Sequence, residues 1–230
     1  MSTEFVLEVH NMDASYGESR VLFGVSINIA LNEVVSCVGR NGAGKTTLLK
    51  SISGFLKPTS GSITYGGQEI IGVPSYTLAR MGLRYIAQDK KVFSDLTVAE
   101  NMELASYATK DNNLDPILNY FPNLKSLMNR KAGYLSGGEK QMLMIGRALL
   151  GTPSVLLVDE PTEGLAPVVV EQLMQIFKDI SENTALMIVE QNLSLVCQIS
   201  DRVYAMKEGQ IMSETSDEED IKNIVFEKFL

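Results

Sequence analysis

The chain has 230 residues, of which 45% are apolar and 21% charged. That length suits one domain with a subdomain and can bury a sizeable core, and nothing in the balance points to disorder. Twenty-eight acidic residues against 20 basic ones give a formal net charge of -8. An acidic balance is a poor match for a bare nucleic-acid backbone, so no nucleic-acid partner is expected.

The opening segment MSTEFVLEVHNM has no cationic stretch leading into an apolar run, so it does not read as a secretory signal. No stretch approaches the roughly 18 apolar residues of a membrane span. The most apolar region, residues 21–39, is interrupted by Asn28, Asn32 and Glu33. The chain is expected to be soluble alone, and any role at a membrane then requires a partner chain. Cys37 and Cys197 lack metal-ligand spacing and read as reduced thiols packed as small hydrophobes. The single histidine, His10, reads as an ordinary strand residue.

Strands are predicted at residues 5–9, 21–29, 34–38, 62–65, 83–86, 155–158, 185–189 and 203–206, with a possible edge strand at 209–212. Helices are predicted at 45–53, 75–81, 98–108, 137–150, 168–181, 193–199 and 217–229. Short apolar strands alternating with helical patterns signal an α/β fold. Between Leu96 and Leu150 there are helical runs and no convincing strand. This implies a helical subdomain at about 89–150, inserted into a core of about 1–88 and 151–230. The acidic cluster from Glu214 to Asp220 reads as a solvated helix start, where acids suit the helix dipole.

After the strand at 34–38 comes Gly39-Arg40-Asn41-Gly42-Ala43-Gly44-Lys45-Thr46-Thr47. It fits G-x-x-x-x-G-K-[ST] between a strand and a helix, the context that pattern requires. Glycines let the backbone curl round phosphate oxygens with its N–H groups inward, and the helix N-terminus favours an anion. Lys45 can reach the β- and γ-phosphates, and Thr46 can hold Mg²⁺. A glycine-rich turn with an incidental lysine is the bland alternative, and the flanking strand and helix argue against it. The whole implies a P-loop NTPase core: a mixed sheet flanked by helices, with an antiparallel part.

The strand at 155–158 ends in Asp159-Glu160. A buried strand delivers such acids to the carboxyl edge of the sheet, where ligands bind in α/β folds. Asp159 suits Mg²⁺, directly or through water, and Glu160 suits the polarisation of an attacking water. Alone, this pattern equally fits a solvated strand end; beside the phosphate loop, it reads as catalytic.

Leu135-Ser136-Gly137-Gly138-Glu139 reads locally as a capping box, with Ser136 as cap and Glu139 reaching back. A cap does not need two glycines, which make a second anion-binding nest beside the hydroxyl. With LSGGE lying between the phosphate loop and the acidic strand, nearly the whole chain resembles the ATP-binding subunits of ABC transporters. That resemblance implies that Tyr16 stacks on adenine. It implies that Gln88 senses Mg²⁺ and water and links core to subdomain. Two subunits would meet head to tail, so that Ser136, Gly137, Gly138 and Glu139 serve the partner's ATP.

Two positions depart from the family pattern. Gln191 stands where a switch histidine is usual, and Ala166 where an aspartate is usual. Glutamine can donate to a phosphate or orient water but carries no charge. With Glu190-Gln191-Asn192, Glu163-Gly-Leu-Ala-Pro167 and Phe121-Pro-Asn-Leu124, the chain resembles the subunits of branched-chain amino acid importers and of the related urea and amide importers.

The partners this implies are transmembrane permease subunits, a second ATP-binding subunit (different in that branch, though a homodimer is the alternative) and, indirectly, a solute-binding protein. The implied location is the cytoplasmic face of the membrane. The coupling surface is expected around residues 88–101, with Lys90, Lys91 and Phe93 facing the permease; a solvated loop is the alternative. A soluble ABC-type ATPase acting on DNA or ribosomes is disfavoured by the acidic balance. A small-molecule kinase leaves LSGGE without a role.

Overall fold

The computed structural model describes residues 5–230. In chain order it runs β1 (Phe5–Tyr16), β2 (Ser19–Ala30), β3 (Val34–Val38), α1 (Lys45–Ile52), β4 (Ser60–Tyr65), β5 (Gln68–Glu69), α2 (Ser75–Met81) and β6 (Leu83–Ile86). Four helices follow: α3 (Val98–Thr109), α4 (Asp115–Tyr120), α5 (Pro122–Leu127) and α6 (Gly137–Leu149). The chain then continues through β7 (Val155–Asp159), α7 (Pro167–Ser181), β8 (Ala185–Glu190), α8 (Leu193–Ile199), β9 (Arg202–Lys207), β10 (Gln210–Thr215) and α9 (Glu218–Lys222).

Two sheets result. One has the order β2-β1-β4-β5 and is antiparallel. The other has the order β10-β9-β3-β8-β7-β6, with β10 the antiparallel edge of an otherwise parallel sheet. Every residue of β3, β7 and β8 is buried, as expected of parallel strands covered on both faces. Successive side chains point to opposite faces, so one strand feeds two cores. Val35, Cys37, Val155 and Leu157 pack with β1, β2 and Leu48, Leu49 and Ile52 of α1. Val34, Val38, Leu156 and Val158 pack with Met102, Leu143, Ile145 and Phe177 of the helices on the other side. The helical run from α3 to α6 thus shares a single hydrophobic cluster with the sheet.

Some expectations need correction. The first strand runs on to Tyr16 because β2 stays paired with it through several register shifts, one of them beside Asn11 at φ 45°. Its polar stretch hides this from a search for apolar runs. The two-residue β5 has both residues exposed and so carries no apolar signal. The predicted helix at 217–229 is broken at Ile224, whose φ of 56° separates α9 from a 3₁₀ turn at Val225–Phe229. In the acidic cluster, Asp217 does cap a helix by accepting from the Asp220 N–H at 3.0 Å. Glu214 instead belongs to β10 and pairs with Arg202 at 2.9 Å.

Candidate nucleotide site

The loop between β3 and α1 is shaped by its glycines. Gly44 has φ 109°, a conformation strained for any residue with a side chain, and a Cβ there would also press on Leu22 Cδ2 at 2.8 Å. The Ala43 carbonyl accepts from Gly209 N–H at 2.8 Å, which anchors the loop to the turn between β9 and β10. With residues 41–47, Val21, Gln88 and Glu160 line a cavity of about 290 Å³.

Lys45 is only 4% exposed. Its ammonium donates to the Gly39 carbonyl at 2.8 Å and pairs with Glu160 Oε1 at 3.2 Å. Glu160 is the left-handed residue directly after β7, at φ 44°. Such a conformation in a residue with a side chain costs about 1–3 kcal/mol and tends to mark functional positions. Two amides hold its carboxylate: Gln191 Nε2 donates to Oε1 at 2.9 Å and Gln88 Nε2 to Oε2 at 3.1 Å. Gln191 Nε2 also donates to Asn41 Oδ1 at 2.7 Å, and Gln88 Nε2 to Glu163 Oε2 at 2.8 Å.

Asp159 lies beneath this layer, accepting from Thr46 Oγ1 at 3.1 Å and from the Tyr85 hydroxyl at 3.0 Å. Burial raises its pKa above the usual carboxylate range, and these two hydrogen bonds oppose the rise. Burial, reinforced by the Asp159 charge, in turn pushes the Tyr85 phenol well up. Among the described residues, no group of three or more His, Cys, Asp or Glu could cage a metal. The hard oxygens of Asp159 and Thr46 beside a phosphate loop fit Mg²⁺, which takes few protein ligands and completes its shell with phosphate and water.

The second glycine segment lies elsewhere. Ser136 caps α6 in a reciprocal box: its Oγ accepts from Glu139 N–H at 3.3 Å, and Glu139 Oε2 accepts from Ser136 N–H at 2.7 Å. Ser136–Glu139 line a different cavity of about 510 Å³, together with Gly164, Leu165, Ala166 and Val169. Val169 Cγ1 would sit 3.1 Å from a Cβ at Gly138, so the start of α7 packs tightly on this bare backbone.

A model of the family described as ABC transporter matches residues 22–163. The chain belongs to the ABC transporter family. It is 39% identical to the high-affinity branched-chain amino acid transport ATP-binding protein BraG of Pseudomonas aeruginosa, over 90% of this chain and 91% of that one. A probable branched-chain amino acid transport ATP-binding protein, LivF of Archaeoglobus fulgidus, is 37% identical over 97% of both. Among solved structures, the ADP conformation of an ATP-binding cassette of an ABC transporter superposes with a TM-score of 0.88 at 29% identity, covering 99% and 97% of the two chains. A dimeric bacterial ABC transporter cassette matches with a TM-score of 0.80 at 26% identity, covering 91% and 98%.

In this ABC ATPase the structure brings Asn41, Lys45, Gln88, Glu160 and Gln191 into one hydrogen-bonded layer. Thr46 and Asp159 meet beneath it. Within one chain, Ser136, Gly137, Gly138 and Glu139 stay apart from that layer. Tyr16, 47% exposed, ends β1 at the hairpin, and Val21 rather than Tyr16 lines the loop cavity. Sequence reasoning missed Tyr85, which donates to Asp159, and Thr162, which donates to the Glu190 carboxylate beside Gln191. Tyr85 is one of four residues in a short strand, and Thr162 lies in a loop; neither carries a local signal. Among the described residues no helix is long and apolar enough to cross a membrane. ABC ATP-binding subunits are peripheral to the membrane and work with transmembrane permeases.

Proposed function

We propose that this chain binds and hydrolyses ATP to power an importer of branched-chain, hydrophobic amino acids. The identity to two ATP-binding proteins of branched-chain amino acid transport, across at least 90% of the chain, supports that cargo class. One observation carries the chemistry: Glu160 is met at once by the phosphate-loop ammonium and by two neutral amides. These contacts fix its carboxylate at the wall of the phosphate-loop cavity, the placement a general base requires.

In this reading residues 39–47 cradle the triphosphate, Lys45 holds its terminal phosphates, and Tyr16 faces the base. Thr46, Asp159 and Gln88 hold Mg²⁺, which when bound neutralises charge on the phosphates. Glu160 accepts the proton, while Gln191 orients water or donates to the terminal phosphate. Ser136, Gly137, Gly138 and Glu139 serve ATP bound by a second ATP-binding subunit. We favour a different chain as that subunit. Ala166 lines the Ser136 cavity without a carboxylate, so two copies of this chain would both lack that group.

Residues 89–150 act as the helical unit that transmits closure, at the cytoplasmic face of the membrane. A cavity of about 480 Å³ lined by Phe55, Tyr76, Tyr85, Lys91 and Arg147 lies between core and helices, beside residues 88–101, and is our candidate seat for a permease loop. Exposed Phe55 and Tyr76 offer apolar contact, and the Arg147 guanidinium lies over the Phe93 ring at 5.1 Å. The test is purification with the native partners, followed by solute-stimulated ATPase measurements. Stimulation by leucine, isoleucine or valine with free phosphate as product is expected. Stimulation by urea or short amides alone would move the cargo, and a phosphorylated small molecule as product would overturn the reading.

A further inference from the structure

Glu190, the last residue of β8, is a buried carboxylate with only 3% exposure. Its four hydrogen-bond partners are all uncharged. Oε1 accepts from the Thr162 backbone N–H at 3.0 Å and from Thr162 Oγ1 at 2.5 Å. Oε2 accepts from the backbone N–H groups of Gln191 at 2.9 Å and Asn192 at 3.1 Å. A lone buried carboxylate is expensive unless its lone pairs are filled, and here they are.

One oxygen therefore grips the loop two residues beyond Glu160, and the other grips the turn that carries Gln191. These two segments must keep register for the Gln191–Glu160 hydrogen bond at 2.9 Å to form. Otherwise they meet through the Glu160 N–H, which donates to the Val189 carbonyl at 2.9 Å.

We infer that Glu190 is a positioning residue for ATP hydrolysis, yoking the Thr162 loop to the Gln191 turn so that the Gln191 amide stays aimed at Glu160. The inference rests on the role proposed above for Glu160. None of the four side-chain hydrogen bonds of Glu190 goes to residues 39–47, so the yoke is expected to act on turnover rather than on the grip of the loop on nucleotide. An amide in place of the carboxylate turns one oxygen into an NH₂ that confronts two donors, releasing one of the two segments.

The experiment uses the transporter purified with its native partners. It measures kcat, KM for ATP, affinity for the fluorescent analogue TNP-ATP, and melting temperature. Glu190→Gln should lower kcat on the order of 10- to 100-fold, the scale of a misaligned reacting group, with TNP-ATP affinity unchanged. In a Gln191→Ala background the same substitution should add less than about threefold, because coupled residues are not additive. Equal loss in both backgrounds, affinity lost in step with kcat, or unchanged kcat would each overturn the inference. Should Glu190→Gln fail to fold, Thr162→Val removes a single donor: lowered kcat at constant affinity supports the yoke, and parental kcat overturns it. Parental turnover in Glu160→Gln would sink the proposed base, whereas loss there without loss at Glu190 sinks the yoke alone.

Discussion

Glu160→Gln removes one charge and almost no volume. In the parent, Oε1 receives Gln191 Nε2 at 2.9 Å and faces Lys45 Nζ at 3.2 Å, while Oε2 receives Gln88 Nε2 at 3.1 Å. A glutamine has one oxygen to offer. Set where Lys45 and Gln191 converge, it turns its own NH₂ against the Gln88 amide. Gln88 must then rotate and give up its 2.8 Å bond to Glu163. The loss of one hydrogen bond to a charged acceptor is worth about 1.5–3 kcal/mol. At about 2–4 °C per kcal/mol for a chain this size, that bond alone lowers melting by up to about 12 °C, and the lost counter-charge of buried Lys45 adds to the fall. Turnover should suffer far more. Loss of a general base removes about 10²- to 10⁴-fold, or about 2.7–5.4 kcal/mol of barrier lowering. Nucleotide affinity should hold or rise, because Lys45 no longer has a carboxylate to leave. Phosphate release and nucleotide titration on the assembled transporter give both numbers. A folded variant that turns over within about threefold of the parent, or that loses affinity in step with rate, refutes the assignment.

Lys45→Ala should weaken ATP binding on the order of 10- to 100-fold, the equivalent of one charge-assisted hydrogen bond; unchanged affinity in a titration contradicts the phosphate role. Burial raises the Asp159 pKa despite the hydrogen bonds from Tyr85 and Thr46. Its contribution to stability is therefore complete below the unfolded value of about 3.9 and is lost as pH rises through the raised folded value. At neutral pH Asp159→Asn should melt no lower than the parent while losing Mg²⁺-dependent turnover, and any advantage should shrink as pH falls toward 4. Melts across about pH 4–8 check the sign, and a markedly less stable variant at neutral pH contradicts it. Burial pushes the Cys37 thiol up to about 12, whereas Cys197 is partly exposed. Native protein should be alkylated at Cys197 only, as read by peptide mass, and unfolded protein at both; native modification of Cys37 contradicts its burial.

The phosphate loop, the acidic pair and the capped glycine segment were legible because each joins a chemical pattern to a local element. Gly39 to Lys45 follows an apolar strand, Asp159 ends another, and Ser136 starts a helix. The parallel strands were legible because burial on both faces makes them continuous apolar runs. What was not legible depends on tertiary register. Tyr85 reaches Asp159 only because β6 lies beside β7 with Tyr85 opposite Leu157. Glu190 lay in plain view as part of a family likeness, yet its four donors come from two segments that sequence separation keeps apart. The extension of β1 to Tyr16 was hidden because bulges spoil the alternation that marks a half-buried strand.

The ion pair between Lys45 and Glu160 bears on the order of events. While paired, the ammonium and the carboxylate occupy one another at 3.2 Å. A phosphate that takes over Lys45 leaves Glu160 with the neutral amides of Gln88 and Gln191, which position it but bring no formal charge. A phosphate that binds Lys45 thus also frees the Glu160 carboxylate from its ion pair, so that binding and the proposed base are linked through one ammonium. A histidine at the Gln191 position could carry a charge and restore part of what Lys45 gave up. Glutamine cannot, and so this site depends more heavily on geometry, with Asn41 holding the Gln191 amide at 2.7 Å from one side and Glu160 from the other.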